Sequence, residues 1–304
     1  MNTCLVTGAS GFVGKKLINA LLYYDHKVLP VSRKSMPNEN TIICDFETSS
    51  LSKLHMKNVD VIYHLAGVAH DQDSSSSNQS LYQLINVDAT IRLAELAASC
   101  EVRNFIFLSS VKAGGLKEPN SEVNEIDNFK PEGIYGYTKR KAELKLLEIG
   151  QKSKMDVAIV RSSLVYGPDV KGNLKLMMDG IKKGWFPPFP KVNNSRSMIH
   201  IDDLIQALIL VTDNKKAIGE IFIATDGKSY STRDIYEAFC NELGKPIPKW
   251  SFPSFFLKLV GLLSVKIQYK VDKLLGDEYY SSKKINSIGF EPQKTFKDMN
   301  ETSF

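Results

Sequence analysis

The segment Thr7-Gly8-Ala9-Ser10-Gly11-Phe12-Val13-Gly14 constrains the fold of this chain more than any other. It follows the apolar run Thr3 to Thr7, and it precedes apolar residues at 13, 17, 18, 21 and 22, the spacing of one helix face. The pattern is therefore strand, glycine turn, helix. Gly8 can turn tightly, Gly11 lets a phosphate approach the backbone, and Gly14 allows the helix to pack closely on the strand. A helix beginning here offers unpaired N–H groups and its positive dipole end to an anion. A glycine triplet alone is weak evidence, but in this context it points to a dinucleotide cradle.

The residues that follow repeat the alternation. Val28 to Val31, Ile42-Ile43, Val59 to Leu65, Asn104 to Leu108 and Val157 to Val160 read as further strands. Phe12 to Tyr24, Leu81 to Ser99 and Ile134 to Ile149 read as helices. Near-continuous apolar strands separated by helices predict a parallel sheet covered on both faces, a Rossmann-like, doubly wound α/β fold. Prolines gather at 187, 188, 190, 246, 248 and 253, and the alternation is lost there. We expect residues 1–165 to form the dinucleotide-binding domain, with 196–225 returning to it. Residues 166–195 and 226–304 are expected to form a smaller C-terminal α/β substrate lobe. A length of 304 residues accommodates two such units.

Composition excludes several classes. With 43% hydrophobic and 24% charged residues the chain is an ordinary globular one. The 39 basic and 34 acidic residues make no basic tail, so nucleic acid is not an expected partner. The four cysteines, at 4, 44, 100 and 240, form no C-x-x-C pair and no metal-ligand spacing with histidine. They read as reduced thiols, and no metal is expected. No basic n-region precedes the first strand, so we expect a cytoplasmic protein. The longest apolar stretch, Phe255 to Val265, is about half a bilayer span and contains Lys258. A lobe helix packed on the core is the expected reading; an interfacial helix suited to a lipid-linked substrate is the alternative. Asp71 to Gln79 is a polar loop after the fourth strand, placed either to meet a ligand or simply at the surface.

The second strand bears on which dinucleotide binds. An acid at its end would bond a ribose 2′-hydroxyl, but the segment reads Val31-Ser32-Arg33-Lys34. Arg33 can accept a 2′-phosphate or stack on adenine, so the cofactor is NAD or NADP. Asp45 stands where it can meet the adenine amino group, and Leu65-Ala66-Gly67 can line the dinucleotide with small side chains. A tyrosine with lysine four residues on shares a helix face with it, and the ammonium favours the phenolate. Such a phenol exchanges protons with a hydroxyl near neutral pH. Six of the twelve tyrosines carry this spacing, so context must choose. Only Tyr135 and Tyr137 begin the helix after the fifth strand. That strand ends Leu108-Ser109-Ser110-Val111, where a hydroxyl can bond the reacting oxygen.

Thr7-Gly8-x-x-Gly11-x-x-Gly14, His64-Leu65-Ala66-Gly67, Asn86-Val87, Phe107-Leu108-Ser109-Ser110 and Tyr135-Gly136-x-Thr138-Lys139-x-x-x-Glu143 together resemble the extended short-chain dehydrogenase/reductase family. Within it the chain is similar to the nucleotide-sugar epimerase/dehydratase group, over essentially its whole length. The resemblance selects Tyr135 with Lys139 over Tyr137 with Lys141. It implies Ser110, Tyr135 and Lys139 as the catalytic set, with Ser110 and Tyr135 also meeting substrate. It implies a cofactor set of Gly8, Ser10, Gly11, Phe12, Val13, Gly14, Arg33, Asp45, Phe46, Leu65, Ala66, Gly67 and Lys139.

Later motifs carry the resemblance into the lobe. Arg161-Ser162-Ser163-Leu164-Val165-Tyr166-Gly167-Pro168 departs from it at Ser162, where the family more often has proline. Arg196, helped by Asn173, is implied as the clamp for a nucleotide diphosphate, against a surface ion pair as the plainer reading. His200 reads as a core histidine and Asp203 as a helix cap. The sugar dehydratases of the group carry Asp-Glu where this chain has Val111-Lys112, so dehydration is not expected. The implied activity is NAD(P)-dependent 4-epimerisation of a nucleotide sugar, a UDP-hexose or UDP-N-acetylhexosamine, in bacterial surface-polysaccharide synthesis. A nucleotide-4-keto-sugar reductase is the alternative, and a catalytically silent dinucleotide-binding protein a third. A homodimer through helices 81–99 and 134–149 is implied by the resemblance alone; membrane association is not expected.

Overall fold

The computed structural model of the chain describes residues 1–36, 40–69, 76–116, 121–127, 129–264, 268, 271–272 and 274–296. The first half alternates β1 (Thr3–Thr7), α1 (Phe12–Tyr23), β2 (Lys27–Ser32), β3 (Ile42–Ile43) and β4 (Val61–His64). Then come α2 (Ser76–Tyr82), α3 (Ala89–Ser99), β5 (Asn104–Ser110), α4 (Gly133–Lys152) and β6 (Asp156–Ser162). The expected helix 81–99 is the end of a longer helical run, whose turns widen at Gln83–Asp88 between α2 and α3. Residues 71–75 of the polar loop lie outside the described residues, and 76–79 open α2. The second half holds β7 (Leu164–Tyr166), α5 (Gly172–Lys183), β8 (Met198–His200), α6 (Ile201–Asp213) and β9 (Glu220–Ala224). It ends with α7 (Thr232–Glu242), α8 (Ser254–Gly261) and α9 (Lys283–Asn286).

Seven strands pair in the order β3-β2-β1-β4-β5-β6-β9, every pair parallel. Side chains alternate between faces along each strand. Cys4, Val6, Ile106 and Val160 meet Leu17 and Ile18 of α1 and Leu204 and Leu208 of α6 on one face. Leu5, Phe105, Phe107 and Ile159 meet Leu93 of α3 and Ala142 and Leu146 of α4 on the other. Each fully buried aliphatic or aromatic side chain contributes about 1.5–3 kcal/mol, so both helical layers are held by burial. The order reverses between β1 and β4, which opens a crevice at their C-terminal ends, where sheets of this kind take ligands. Gly8 ends β1 in a left-handed conformation (φ +69°), and a Cβ there would lie 2.8 Å from the Ala66 nitrogen after β4.

β7 and β8 form a separate parallel pair beside the main sheet. Beyond them a further core gathers Leu174, Met177 and Ile181 of α5, Phe189, Ile235 and Phe239 of α7, and Phe296. Polar groups fasten residues 293–296 to this core and to α6. The Asp203 carboxylate accepts from the Gln293 and Lys294 nitrogens at 3.1 and 3.0 Å. The Phe296 nitrogen donates to the Tyr230 hydroxyl at 3.0 Å, and that hydroxyl donates to Asp226 at 2.7 Å. Asp203 is therefore not the cap of α6. His200 takes that role, its Nδ1 accepting from the Asp202 nitrogen at 3.1 Å. It is buried as expected, and burial pushes its pKa down to about 4, so the ring is the neutral acceptor a cap requires.

Helix α4 sits close to the turn Val111–Ala113 that follows β5 because Gly136 has no side chain. A Cβ there would collide with the Lys112 carbonyl oxygen and lie 2.9 Å from its carbon. Both are backbone atoms, so relief requires moving the helix. Gly136→Ala is expected to cost about 1–3 kcal/mol, as overpacking does, read as a lower denaturation midpoint. An unchanged midpoint would show that α4 and the turn adjust freely.

Candidate active site

The crevice is lined by backbone. Gly11 caps α1 without any side-chain hydrogen bond, leaving the first N–H groups of the helix for an outside acceptor. A Cβ at Gly14 would collide with the Gly8 carbonyl oxygen, and one at Gly11 would stand 3.0 Å from the same atom. A helix N-terminus reached over such bare backbone suits the diphosphate of a dinucleotide. Ser10, exposed at the turn, accepts from the Ser32 hydroxyl at the end of β2 at 2.9 Å.

A buried relay ties the crevice floor together. The Leu65 and Ala66 nitrogens both donate to the Thr7 hydroxyl oxygen at 3.2 Å. That hydroxyl lies 2.7 Å from His64 Nδ1, and His64 Nε2 lies 2.8 Å from the Thr90 hydroxyl. The Thr90 proton goes to the Asn86 carbonyl at 2.9 Å, so Nε2 must be the ring nitrogen that carries hydrogen. Burial holds the His64 pKa down at about 3, which keeps the ring neutral. Asn86 completes the floor. Its amide accepts from the Val68 nitrogen at 2.8 Å and donates to the Val68 oxygen and the Thr138 hydroxyl.

The residues expected to handle protons lie at the end of the next strand and on α4. Ser110 ends β5 half-buried, its hydroxyl accepting from the Lys112 nitrogen at 3.4 Å. Tyr135 and Lys139 lie one helical turn apart on α4. Tyr135 is half-buried against Tyr82, whereas Tyr137 is 55% exposed, so the fold turns the former inward. The Lys139 ammonium donates to the Leu108 carbonyl at 2.9 Å and lies 4.4 Å from the centre of the Phe107 ring. It also lies beneath Gly67, where a Cβ would stand 3.4 Å from Nζ. Desolvation lowers its pKa to about 8, opposed by the charge of Glu143. At neutral pH it stays a cation, buried beside the crevice.

Glu143, Arg161 and Ser109 were not singled out by the spacing arguments for any role, and they brace this arrangement. The fully buried Glu143 carboxylate accepts from Arg161 Nε and Nη2 at 2.9 and 2.7 Å and from the Ser109 hydroxyl at 2.5 Å. Ser109 of β5 and Arg161 of β6 therefore converge on one carboxylate of α4. His64 and Asn86 were visible in sequence only as motif letters; their work depends on partners distant in the chain.

The remaining expected residues are dispersed around this centre. Arg33 is exposed just past β2. Asp45 is half-buried and accepts from the Glu47 nitrogen at 3.1 Å, while Phe46 is buried edge-on to His64. Phe12 and Val13 are half-buried in the first turn of α1. Asn173 is exposed in the first turn of α5. Arg196 is 7% exposed and pairs with Glu278 at 2.6 Å. To chelate a diphosphate with both edges of its guanidinium, Arg196 would have to give up that pair.

Comparison with known proteins is consistent over the whole chain. The model of the NAD dependent epimerase/dehydratase family matches residues 4–224. A UDP-glucose 4-epimerase of Vibrio cholerae is 32% identical over 302 residues, covering 97% of this chain and 92% of that protein. The N-acetyl-alpha-D-glucosaminyl-diphospho-ditrans,octacis-undecaprenol 4-epimerase of Escherichia coli O157:H7 is 25% identical, with 94% and 89% covered. The solved UDP-glucuronic acid 4-epimerase from Bacillus cereus in complex with NAD superposes with a TM-score of 0.81. It is 22% identical, and the match covers 99% of this chain and 97% of that one.

The brace makes a measurable demand. Glu143→Gln removes the charge that balances buried Arg161, and breaking a buried pair costs about 3–5 kcal/mol. It also removes the charge that supports protonation of Lys139, whose pKa is already down at about 8. We expect a lower denaturation midpoint and an alkaline limb of the pH–rate profile shifted toward lower pH. A profile superimposable on that of the parent would separate Glu143 from Lys139.

Proposed function

The chain belongs to the NAD dependent epimerase/dehydratase family, and from that premise we propose that it inverts C4 of a nucleotide sugar, a UDP-hexose or UDP-N-acetylhexosamine. The observation that carries this reading is the buried Lys139 ammonium, hydrogen-bonded to β5, one helical turn from the inward Tyr135 and two residues along the strand from Ser110. The similarity to 4-epimerases supports C4 as the reacting carbon, and the undecaprenol-linked relative supports a role in surface-polysaccharide synthesis.

NAD is the cofactor of the family, and when bound it supplies the hydride acceptor and donor that interconvert a secondary alcohol and a ketone. The turn residues Gly8, Ser10, Gly11, Phe12, Val13 and Gly14 would hold its diphosphate. Arg33, Asp45 and Phe46 would border its adenosine, and Leu65, Ala66, Gly67 and Lys139 its nicotinamide half. Lys139 stabilises the phenolate of Tyr135 electrostatically, because a nearby cation favours the charged form. The phenolate takes the proton from the C4 hydroxyl as the alcohol is oxidised. Ser110 donates a hydrogen bond to the same oxygen and steadies the charge that develops there. Tyr135 then returns the proton when the ketone is reduced on its opposite face. A diphosphate anchor at Asn173, with Arg196 if it releases Glu278, would let the sugar turn while the nucleotide stays bound. Residues 166–195 and 226–304 are the lobe that would provide this anchor.

A second reading rests on one observation: no carboxylate follows β2, and the exposed Arg33 stands there instead. An arginine accommodates a 2′-phosphate, which suits a 4-ketoreductase drawing on NADPH. The two readings separate in a single assay. The protein is incubated with UDP-glucose and UDP-N-acetylglucosamine, with and without NADPH, and the products are analysed. An epimerase yields the C4 epimer from at least one of the two sugars without added reductant; failure to form epimer from both UDP-hexoses and UDP-N-acetylhexosamines overturns the proposal. Tyr135→Phe is expected to lower turnover by at least about 10²-fold, the usual scale of general acid–base loss. Turnover near that of the parent would remove Tyr135 from the mechanism.

A further inference from the structure

The lobe also carries large apolar side chains that are exposed. Along α8 and the turn after it, Leu257 packs inward against the core of the lobe. Phe255 and Leu259, at i and i+4 on α8, are 56% and 45% exposed, and Leu262 and Leu263 in the turn after it are 78% and 77% exposed. Trp185 and Trp250 are 60% and 62% exposed. The segment bearing Trp250 runs beside the one bearing Trp185. The Phe252 nitrogen donates to the Pro188 oxygen at 2.9 Å, and the Lys245 ammonium donates to the Lys182 oxygen at 2.6 Å.

The charge of the two segments that carry the tryptophans is one-sided. Residues 171–191 hold five lysines and one acid, Asp179; residues 243–264 hold three lysines and no acid. The whole chain carries 39 basic and 34 acidic residues, so these two segments depart sharply from its balance. Neither forms a run of like charge in the sequence. The fold joins them. Among the described residues no helix is long and apolar enough to cross a membrane, and attachment to a surface requires none.

We propose that the two segments form one face and that it docks on an anionic membrane surface. Exposed tryptophans are the side chains that settle at the boundary between headgroups and acyl chains, amphipathic in the way the boundary is. The exposed apolar side chains of α8 and its turn add apolar area buried by insertion, and the lysines are attracted to anionic headgroups. Core packing alone would leave neither tryptophan in water, and a purely electrostatic surface would need no exposed apolar side chains. The combination fits a lipid surface of negative charge, and it turns the lobe of the protein toward the bilayer.

Co-sedimentation with vesicles tests this. One set is phosphatidylcholine alone; the other contains about 30% phosphatidylglycerol. We expect partition onto the anionic vesicles only, weakened at high salt. Trp185→Ser with Trp250→Ser, and separately Lys182→Glu, Lys183→Glu and Lys249→Glu together, should each reduce partition at least about tenfold. Circular dichroism establishes that each variant is folded. Turnover of a soluble UDP-sugar should be unchanged in both, which keeps failure of docking distinct from failure of the proposed reaction. No partition onto anionic vesicles, equal partition onto both kinds, or variants that bind like the parent would overturn the proposal. So would a dimer in sedimentation velocity that the tryptophan substitutions abolish, since the face would then belong to a second copy.

Discussion

A buried ammonium sets the terms for everything around it. Removing a lysine charge from water is costly, and Lys139 is 3% exposed. The fold compensates in three ways: a carbonyl at Leu108, the face of Phe107 and the negative charge of Glu143. Each compensation fixes a spacing. The carbonyl fixes how far α4 stands from β5. The ring fixes the rotation of the helix. Glu143 belongs to a second buried pair, and through Arg161 it fixes α4 against β6 as well. Tyr135, one helical turn away, inherits its position from these restraints, so the placement of the phenol proposed to move the proton follows from the burial of its neighbour.

The two halves of the crevice are held by different kinds of force. On the glycine side the closest contacts are backbone on backbone, with Gly8 against Ala66 and Gly14 against Gly8, and these require the absence of side chains. On the α4 side they are hydrogen bonds and charge pairs that require particular side chains. The Thr7–His64–Thr90–Asn86 relay joins the two, running from the end of β1 through β4 to the wide helical turns beside α4. A neutral imidazole is essential to it, since a doubly protonated ring would turn an Nδ1–H donor toward the Thr7 hydroxyl, whose own proton would then lose its acceptor.

Much of the architecture was legible in the sequence because its signals are local. Parallel strands buried on both faces are continuous apolar runs, and the glycine turn is eight consecutive residues. Tyr135 was legible only through its neighbours Gly136, Thr138 and Glu143 as a motif, because spacing alone offered six equivalent tyrosines. Roles that depend on distant partners were illegible. Glu143 and Arg161 are 18 residues apart, and His64 touches Thr7 at a separation of 57. Asp203 misled for the opposite reason. It stands where a local rule expects a cap, but the acceptor used is His200 and the carboxylate turns to a segment 90 residues onward. Only one half of the lysine-rich pair of segments was legible, as the apolar stretch Phe255 to Val265 that could lie at an interface, because the other half is far away in the chain and modest by itself.

The clasp formed by Asp203, Asp226 and Tyr230 has a mechanical corollary. By stitching residues 293–296 to α6 on one side and to the aromatic core of the lobe on the other, it spans the boundary that a hinge would have to cross. Opening and shutting of the lobe as a flap would shear those bonds. With the lobe as the sugar wall, as proposed above, choice among sugars would then fall to single side chains acting as gauges, and exchanging one of them would retune what fits without disturbing the chassis.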